Sequence, residues 1–488
     1  MRGGHLLSDS AYRDEWAWYN PLVPGIVAVA SVVSHQPVHV LYARAGAYLN
    51  LLAPLALFAM LAALFDQWVA LVTTIAFLFL WPGQEPAWSA ATYSPWLMVV
   101  NFVQAPFYLA LWMVVRLATS LKRSDFVLAG AAIGVVMLGH VAPTLIVSVV
   151  VAFEARRRLL TSEPDARPRL LGCFASLAGT ALLVSSPLLI SIVGHYHLRV
   201  RNTGPANWVF SDIDIVNLPM SLRHLFIVSP MKVLALVGVV FLLRSKEETP
   251  ARVILVAAAT TFGFLVYSYI VQYVVRTSGI ELPALVPGFH FLFYLRAFAT
   301  VAFGIGVIGL VRCAAGFGSR LLRVPFEVFY GVSVGLVIIG LSVAVARAYD
   351  GYRDRPDFGE ARANAQRMFS SADLRAMREW ILTSTSRNDV FLAPDNLGLS
   401  VVTTAGRKVV VLDRSFSNPF VDWEQRMRDR DEMLQLIQHG DPDKFMRLAA
   451  HYRVRYVAYD MLFEDELALR CGLHRVWSSG PWHIYKIG

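Results

Sequence analysis

The chain has 488 residues, 56% of them hydrophobic and 16% charged, with a mean hydropathy of +0.51 and a formal net charge of +9. That composition is too apolar for a water-soluble chain of this length and reads as a polytopic α-helical membrane protein. Residues 350–488 carry 20 Lys+Arg against 20 Asp+Glu while residues 1–349 carry 24 against 15, so the basic excess belongs to membrane-flanking loops, and nucleic acid is excluded as a partner.

The chain opens with a polar, aromatic segment, residues 1–20, which holds Asp9, Asp14, Glu15, Trp16, Trp18 and Tyr19. The apolar run at 21–33 is too short to span and is expected to lie in the interface or re-enter. A first full span is expected at about 38–65, then a tight turn at Asp66-Gln67 and a second span to about 82. Loop 83–95 has no Lys or Arg and so faces outward, and the span at 96–117 returns to Lys122-Arg123.

The stretch from Ser124 to Leu171 fixes the topology. Its apolar part lies between two basic clusters, Lys122-Arg123 and Arg156-Arg157-Arg158, the second extended by Arg167 and Arg169. Short loops rich in Lys and Arg stay in the cytoplasm, so the segment between them is expected to enter the membrane and come back. Pro143 lacks a backbone donor, which places the bend within Gly139-His140-Val141-Ala142-Pro143. The alternative is a single tilted helix of roughly 30 residues.

Beyond the inside loop 154–169, a span at about 171–193 leads out to a long loop, 194–229, read as a structured extracytoplasmic element. Spans at 230–244, 253–275, 291–313 and 325–347 follow, with basic residues at the expected inner ends. The expected architecture is therefore about eight spans plus a helical hairpin over 1–349, with a C-terminal extracytoplasmic domain over 350–488.

In that domain, 370–383 has helical spacing with Ser370 or Ser371 as its cap. Residues 389–394, 408–413 and 453–460 are short apolar runs that read as strands, with helices at about 421–438 and 442–451. This alternation predicts a small, mostly parallel three-layer α/β domain, closed by WHIYKIG. It shows no phosphate loop, nucleophile elbow or metal spacing, and its expected role is structural or substrate-capping. Cys173, Cys313 and Cys471 form no CxxC or Cys/His pattern, and no disulfide is expected.

Four stretches carry a family resemblance. YNPLVPGIVAVASVV is similar to a proline motif that follows the first outer loop of bacterial GT-C glycosyltransferases, and LGHVAPTLI resembles their hinge. HFLFYLRAFATVAFGIGV resembles a recurring helix of the same enzymes, and Trp380 to Asp460 resembles their C-terminal module. The resemblance implies an integral membrane enzyme that moves a sugar from a polyprenyl-phosphate donor to an acceptor on the outer face of a bacterial inner membrane. Transfer of that kind needs a carboxylate base for the acceptor hydroxyl and cations or a metal for the departing lipid phosphate. A divalent metal is left open as cofactor, with no metal ligands assigned.

The family's base lies in the first outer loop, where the adjacent carboxylates Asp14 and Glu15 become the catalytic candidates, with Trp16 and Trp18 available to stack on a sugar. The competing reading makes these residues ordinary interfacial groups and the aromatics a membrane belt. For the lipid phosphate or substrate, the candidates are Arg44, His140, His290 and Arg296, each at outer membrane depth in the expected topology. Arg44 and Arg296 have the competing role of snorkelling to headgroups, and His140 that of satisfying backbone at the hinge. Tyr267, Tyr269, Gln272 and Tyr273 line the same cavity or merely pack.

Two other function classes stay open: a transporter or flippase of a lipid-linked intermediate, and a catalytically inactive scaffold homologue. Visible repeats and midplane ionisable residues would favour the transporter. The resemblance also leads to the expectation that the reading frame continues upstream of Met1. It would encode an apolar helix followed by a further acidic residue, because a GT-C enzyme begins with an outward helix.

Overall fold

The computed structural model describes residues 8–36, 38–80, 97–207, 215, 229–246, 248–280, 282, 286–348, 371–403, 405–439, 441–460 and 463–488. The outward loop expected at 83–95 lies outside the described residues, as do most of loop 194–229 and the division expected at 349/350. Two compact units emerge. One gathers Met1–Tyr19, Pro187–Trp208 and Pro356–Gly488, and the other Asn20–Ser186 and Val209–Arg355.

The second unit is helical. Its elements are α1 (Leu22–Ser34), α2 (Val38–Leu49), α3 (Leu52–Leu64), α4 (Gln67–Ile75, extended by a π turn Ala76–Leu80) and α5 (Gln104–Leu117). They continue as α6 (Arg123–Gly139), α7 (Val141–Thr161), α8 (Arg167–Leu189), α9 (Pro230–Arg244), α10 (Thr249–Ser278), α11 (Phe289–Leu322) and α12 (Phe326–Ala348). Six helical stretches among the described residues are long and apolar enough to cross a membrane. The chain is a multi-pass membrane protein. Six of the eight expected spans fall on these stretches, and the other two fall on shorter apolar helices among the described residues, α4 with its π turn (Gln67–Leu80) and α9 with 15 residues.

The hairpin forms as expected, with the break at His140, whose extended backbone (φ −163°, ψ 139°) ends α6 and caps α7. Pro143 stands at the third position of α7, where a missing N–H costs nothing because the first four are unpaired anyway. Between helices in lipid the hydrophobic effect is weak, so close backbone approach carries the packing. A Cβ on Gly238 of α9 would lie 1.7 Å from the Ala302 carbonyl oxygen of α11, and one on Gly306 would lie 2.0 Å from that of Leu234. Gly304 likewise admits Thr73 of α4. The glycines of the GIG run thus seat α11 against two neighbours.

The first unit contains α13 (Ala372–Ser384), β1 (Val390–Leu392), β2 (Lys408–Val409), α14 (Trp423–His439), α15 (Pro442–Tyr452), β3 (Val454–Tyr459), α16 (Asp465–Arg470), β4 (Leu473–Ser479) and β5 (Trp482–Ile487). Ser371 caps α13 through the Leu374 N–H. The sheet order is β2-β1-β3-β5-β4, with β1 parallel to both β2 and β3 and β5 antiparallel to both β3 and β4. The expectation of a mostly parallel sheet is corrected to a mixed one. The cause is the closing β4–β5 hairpin, whose first strand, HRVWSS after Leu473, is exposed along much of its length and lacks an apolar run.

Side chains alternate between the two faces of this sheet. Phe391, Val409, Tyr456 and Ile484 pack with Met377 and Ile381 of α13. Val390, Leu392, Val457 and Tyr485 pack with Met433, Ile437, Phe445 and Ala449 of α14 and α15. Ala11 and Tyr12 belong to the first of these cores, so the N-terminal segment is part of the α/β unit.

Candidate functional site

Segment 8–19 is held by its own backbone and by the α/β unit. Ser8 bridges Trp16, with the Asp9 N–H donating to the Glu15 carbonyl at 2.9 Å. The Val409 N–H donates to the Ala11 carbonyl at 2.8 Å, which adds this segment to the edge of β2. Asp9 is buried, and its Oδ1 accepts from the N–H groups of Ala11 (2.7 Å) and Tyr12 (3.0 Å) while Oδ2 accepts from Asn418. Burial raises its carboxyl above the ordinary range in spite of those bonds. Asp9 is therefore a structural turn residue.

Asp14 and Glu15 share one cation. Nη2 of Arg426, from the first turn of α14, lies 2.8 Å from Asp14 Oδ2 and 2.9 Å from Glu15 Oε1. Its Nη1 donates to the Val410 carbonyl at 3.2 Å, and the guanidinium lies over the rings of Tyr12 (4.6 Å) and Tyr452 (5.4 Å). Burial alone would lower the guanidinium, but the two carboxylates outweigh it and raise its pKa. Nothing in the sequence marked Arg426, which sits among the many charges of α14; only the fold brings it to residues 14 and 15.

The two acids differ. The Asp14 side chain is 58% exposed and that of Glu15 19%. Glu15 has both oxygens engaged, Oε2 accepting from the Tyr196 hydroxyl at 3.0 Å. Burial raises its pKa, with the guanidinium pulling the other way and Asp14 adding to the rise. Asp14 Oδ1 meets no donor among the described residues. Asp14 thus has an accessible lone pair for a proton, and Glu15 is held in place.

Of the sugar-stacking candidates, Trp16 has one face already covered, because His195 stacks on it at 4.7 Å and 11°. Trp18 meets Tyr19 edge-on. The metal question has an equally local answer. Among the described residues no three His, Cys, Asp or Glu converge to hold an ion, and the carboxylate pair is bound to a guanidinium instead. Among the described residues, this donor set suits the guanidinium it holds and does not fit a divalent metal.

In the membrane unit, the hinge brings His140 and His290 together, ring centroids 4.4 Å apart. His140 Nδ1 accepts from the Ala142 N–H at 3.1 Å, which leaves its proton on Nε2. His290 Nδ1 lies 3.2 Å from the Pro287 carbonyl and so carries the proton there. The pair combines one Nε2 donor with one Nε2 acceptor in the neutral form. Asn20 donates to the Met137 carbonyl at 2.7 Å, satisfying a group freed by the break. Arg296 is half-buried on α11, six residues beyond His290 and therefore about 120° round the helix from it. Arg44 is exposed on α2, and Tyr273 is exposed on α10.

No family model matches the sequence, and no curated protein matches it. Among solved structures, the chain is similar to ArnT from Cupriavidus metallidurans bound to undecaprenyl phosphate, with a TM-score of 0.51 and 12% identity over 96% of this chain and 88% of that one. It is also similar to the archaeal oligosaccharyltransferase AglB from Archaeoglobus fulgidus in complex with an inhibitory peptide and a dolichol-phosphate, with a TM-score of 0.47 and 12% identity over 98% of this chain. The chain spans 67% of the length of that AglB.

Proposed function

We propose that this chain, which has the fold of GT-C-type membrane glycosyltransferases, moves a sugar from a polyprenyl-phosphate donor to an acceptor on the outer face of a bacterial inner membrane. The observation that carries the reading is the likeness in fold to ArnT, whose structure holds undecaprenyl phosphate. The Lys/Arg asymmetry of the short loops supports an outer-face location for residues 350–488.

In the reaction the acceptor hydroxyl oxygen bonds to the anomeric carbon of the sugar while the bond from that carbon to the phosphate oxygen breaks. The electron pair of the broken bond leaves with the polyprenyl phosphate, and the hydroxyl proton passes to a carboxylate. Asp14 is the base, on the strength of its exposure and its free Oδ1, and Glu15 and Arg426 are positioning residues that hold it. Arg44, His140, His290 and Arg296 take the lipid phosphate, the two arginines with charge-assisted bonds.

Purified protein in detergent, given radiolabelled undecaprenyl-phosphate sugars and a cell-envelope acceptor fraction, tests this. Wild-type protein should transfer label and Asp14→Asn should not. Binding of the donor with no transfer from any sugar would instead favour the transporter or scaffold classes.

A further inference from the structure

The segment that follows α8 has a feature that the transfer reaction does not use. The apolar helix that begins at Pro164 runs to His195. From Arg169 to His195 it rises roughly 39 Å, enough to cross a hydrocarbon core of about 30 Å and end at headgroup level. The chain then makes two anchors. Tyr196 stacks on Phe420 at 4.6 Å, and its hydroxyl bonds Glu15 and Asn418, both at 3.0 Å. Five residues on, the N–H groups of Arg201 and Asn202 both donate to the Pro419 carbonyl at 2.9 Å.

Between these anchors the backbone turns through an uncommon conformation. His197 and Leu198 both lie in the left-handed region, at φ 52° and 57°, where a non-glycine residue costs about 1–3 kcal/mol and persists only if its surroundings impose it. The result is a pinned loop with His197, Leu198, Arg199 and Val200 all exposed, Leu198 at 60% and Val200 at 49%. Residues 193–201 contain no carboxylate, and the guanidinium groups of Arg199 and Arg201 meet none among the described residues. Apolar side chains alternating with unpaired arginines, at the end of a membrane helix, match a lipid interface: methyl groups enter the acyl boundary while guanidiniums meet phosphates.

We propose that residues 197–201 are an interfacial anchor that binds anionic phospholipid headgroups, with Leu198 and Val200 inserted beneath them. The proposal rests on the membrane fold and not on transferase activity, so the two stand or fall separately. Its test uses the full chain with Cys313→Ser, since Cys173 and Cys471 are buried. A spin label at Leu198→Cys is compared with one at Glu466→Cys, whose side chain is 81% exposed on the α/β unit. Both are read in nanodiscs of phosphatidylcholine, with and without phosphatidylglycerol.

The expected result is that the Leu198→Cys label is shielded from a water-soluble relaxation agent and reached by oxygen, unlike the control. Phosphatidylglycerol should deepen it, and R199Q/R201Q should lower that lipid preference by roughly thirtyfold, given the size of the attraction of each basic residue to an anionic surface. Equal aqueous access at both labels overturns the anchor. Depth that ignores phosphatidylglycerol overturns the headgroup assignment. The same response to inorganic phosphate in phosphatidylcholine discs would show a free-phosphate site instead.

Discussion

Arg426 on α14 and Glu15 in the N-terminal segment stand 411 positions apart in the chain and are joined Nη2 to Oε1 at 2.9 Å. The same nitrogen reaches Asp14, and tyrosine rings lie on the guanidinium. Arg426→Met should therefore lower the stability of the α/β unit by about 2–3 kcal/mol, most of it from leaving half-buried Glu15 unpaired, since exposed Asp14 contributes little. Transfer should fall roughly 100-fold through misplacement of Asp14. Arg426→Lys should restore little, because an ammonium is a point donor that cannot span both acids and Val410 while stacking on two rings. Thermal unfolding and turnover of the three proteins, compared side by side, check this.

Burial raises the Glu15 carboxyl above its ordinary value. The folded state then holds that proton more tightly than the unfolded state does. The contribution is fully present below the unfolded value and is lost as pH rises through the folded one. Glu15→Gln keeps a neutral side chain at every pH and removes this dependence. The stability of the variant relative to wild type should thus increase from about pH 4.5 upward until Glu15 is fully ionised in the folded wild type. Urea unfolding of both proteins across that range gives the difference directly. A variant that loses stability relative to wild type as pH rises contradicts the sign.

Much of this architecture is legible along the chain, because bilayer length, basic loops and a proline after a histidine are local signals. The break falls at His140, inside the expected window Gly139-His140-Val141-Ala142-Pro143, and the first turn of α7 tolerates Pro143. What the sequence hides is long-range. Arg426 looks like any charge on a solvated helix, and the pairing of His140 with His290 needs α7 and α11 to be neighbours. Tyr12 carries no signal in the sequence and is core, its hydroxyl 2.6 Å from that of Ser417. The β4–β5 hairpin leaves little signal along the chain because its first strand is largely exposed and polar.

The contact of α9 with α11 depends on two glycines that face each other's helix backbone. Gly238→Ala places a methyl 1.7 Å from the Ala302 carbonyl oxygen, a contact that no rotamer relieves. The helices must part, and the protein should lose stability by several times the ~1 kcal/mol that alanine normally gains over glycine in a helix. Gly263→Ala on α10 is the control, with open space around its Cβ, and should be neutral or slightly stabilising. Melting temperatures in one detergent separate the two. Equal values would mean that the close approach is not maintained.

On topology, alkaline phosphatase fused after Arg169 should be inactive and the same enzyme fused after Arg347 active. The short loop 154–169 is dense in Arg, and loops of that kind stay in the cytoplasm, which is the basis of the expectation. Activity at Arg169 or its absence at Arg347 would invert the whole orientation and remove the outer-face reaction with it.

The membrane-unit candidates differ in what their loss should do. His140 caps α7 with Nδ1, so His140→Ala removes a cap worth about 1 kcal/mol and confounds binding with folding. Asparagine is among the best caps and keeps an acceptor for the Ala142 N–H while deleting the imidazole Nε2. His140→Asn should therefore insert and melt like wild type. If the Nε2 donor meets the lipid phosphate, this variant still binds a polyprenyl-phosphate sugar more weakly, by about tenfold for one charge-assisted bond. Arg296→Ala removes a guanidinium near the N-terminal end of α11 and should cost roughly 10- to 100-fold in the same assay. The two substitutions together measure coupling, because residues sharing one phosphate do not add independently. Wild-type donor affinity in Arg296→Ala would assign that arginine to lipid snorkelling. Wild-type affinity in His140→Asn would leave the histidine a hinge cap alone.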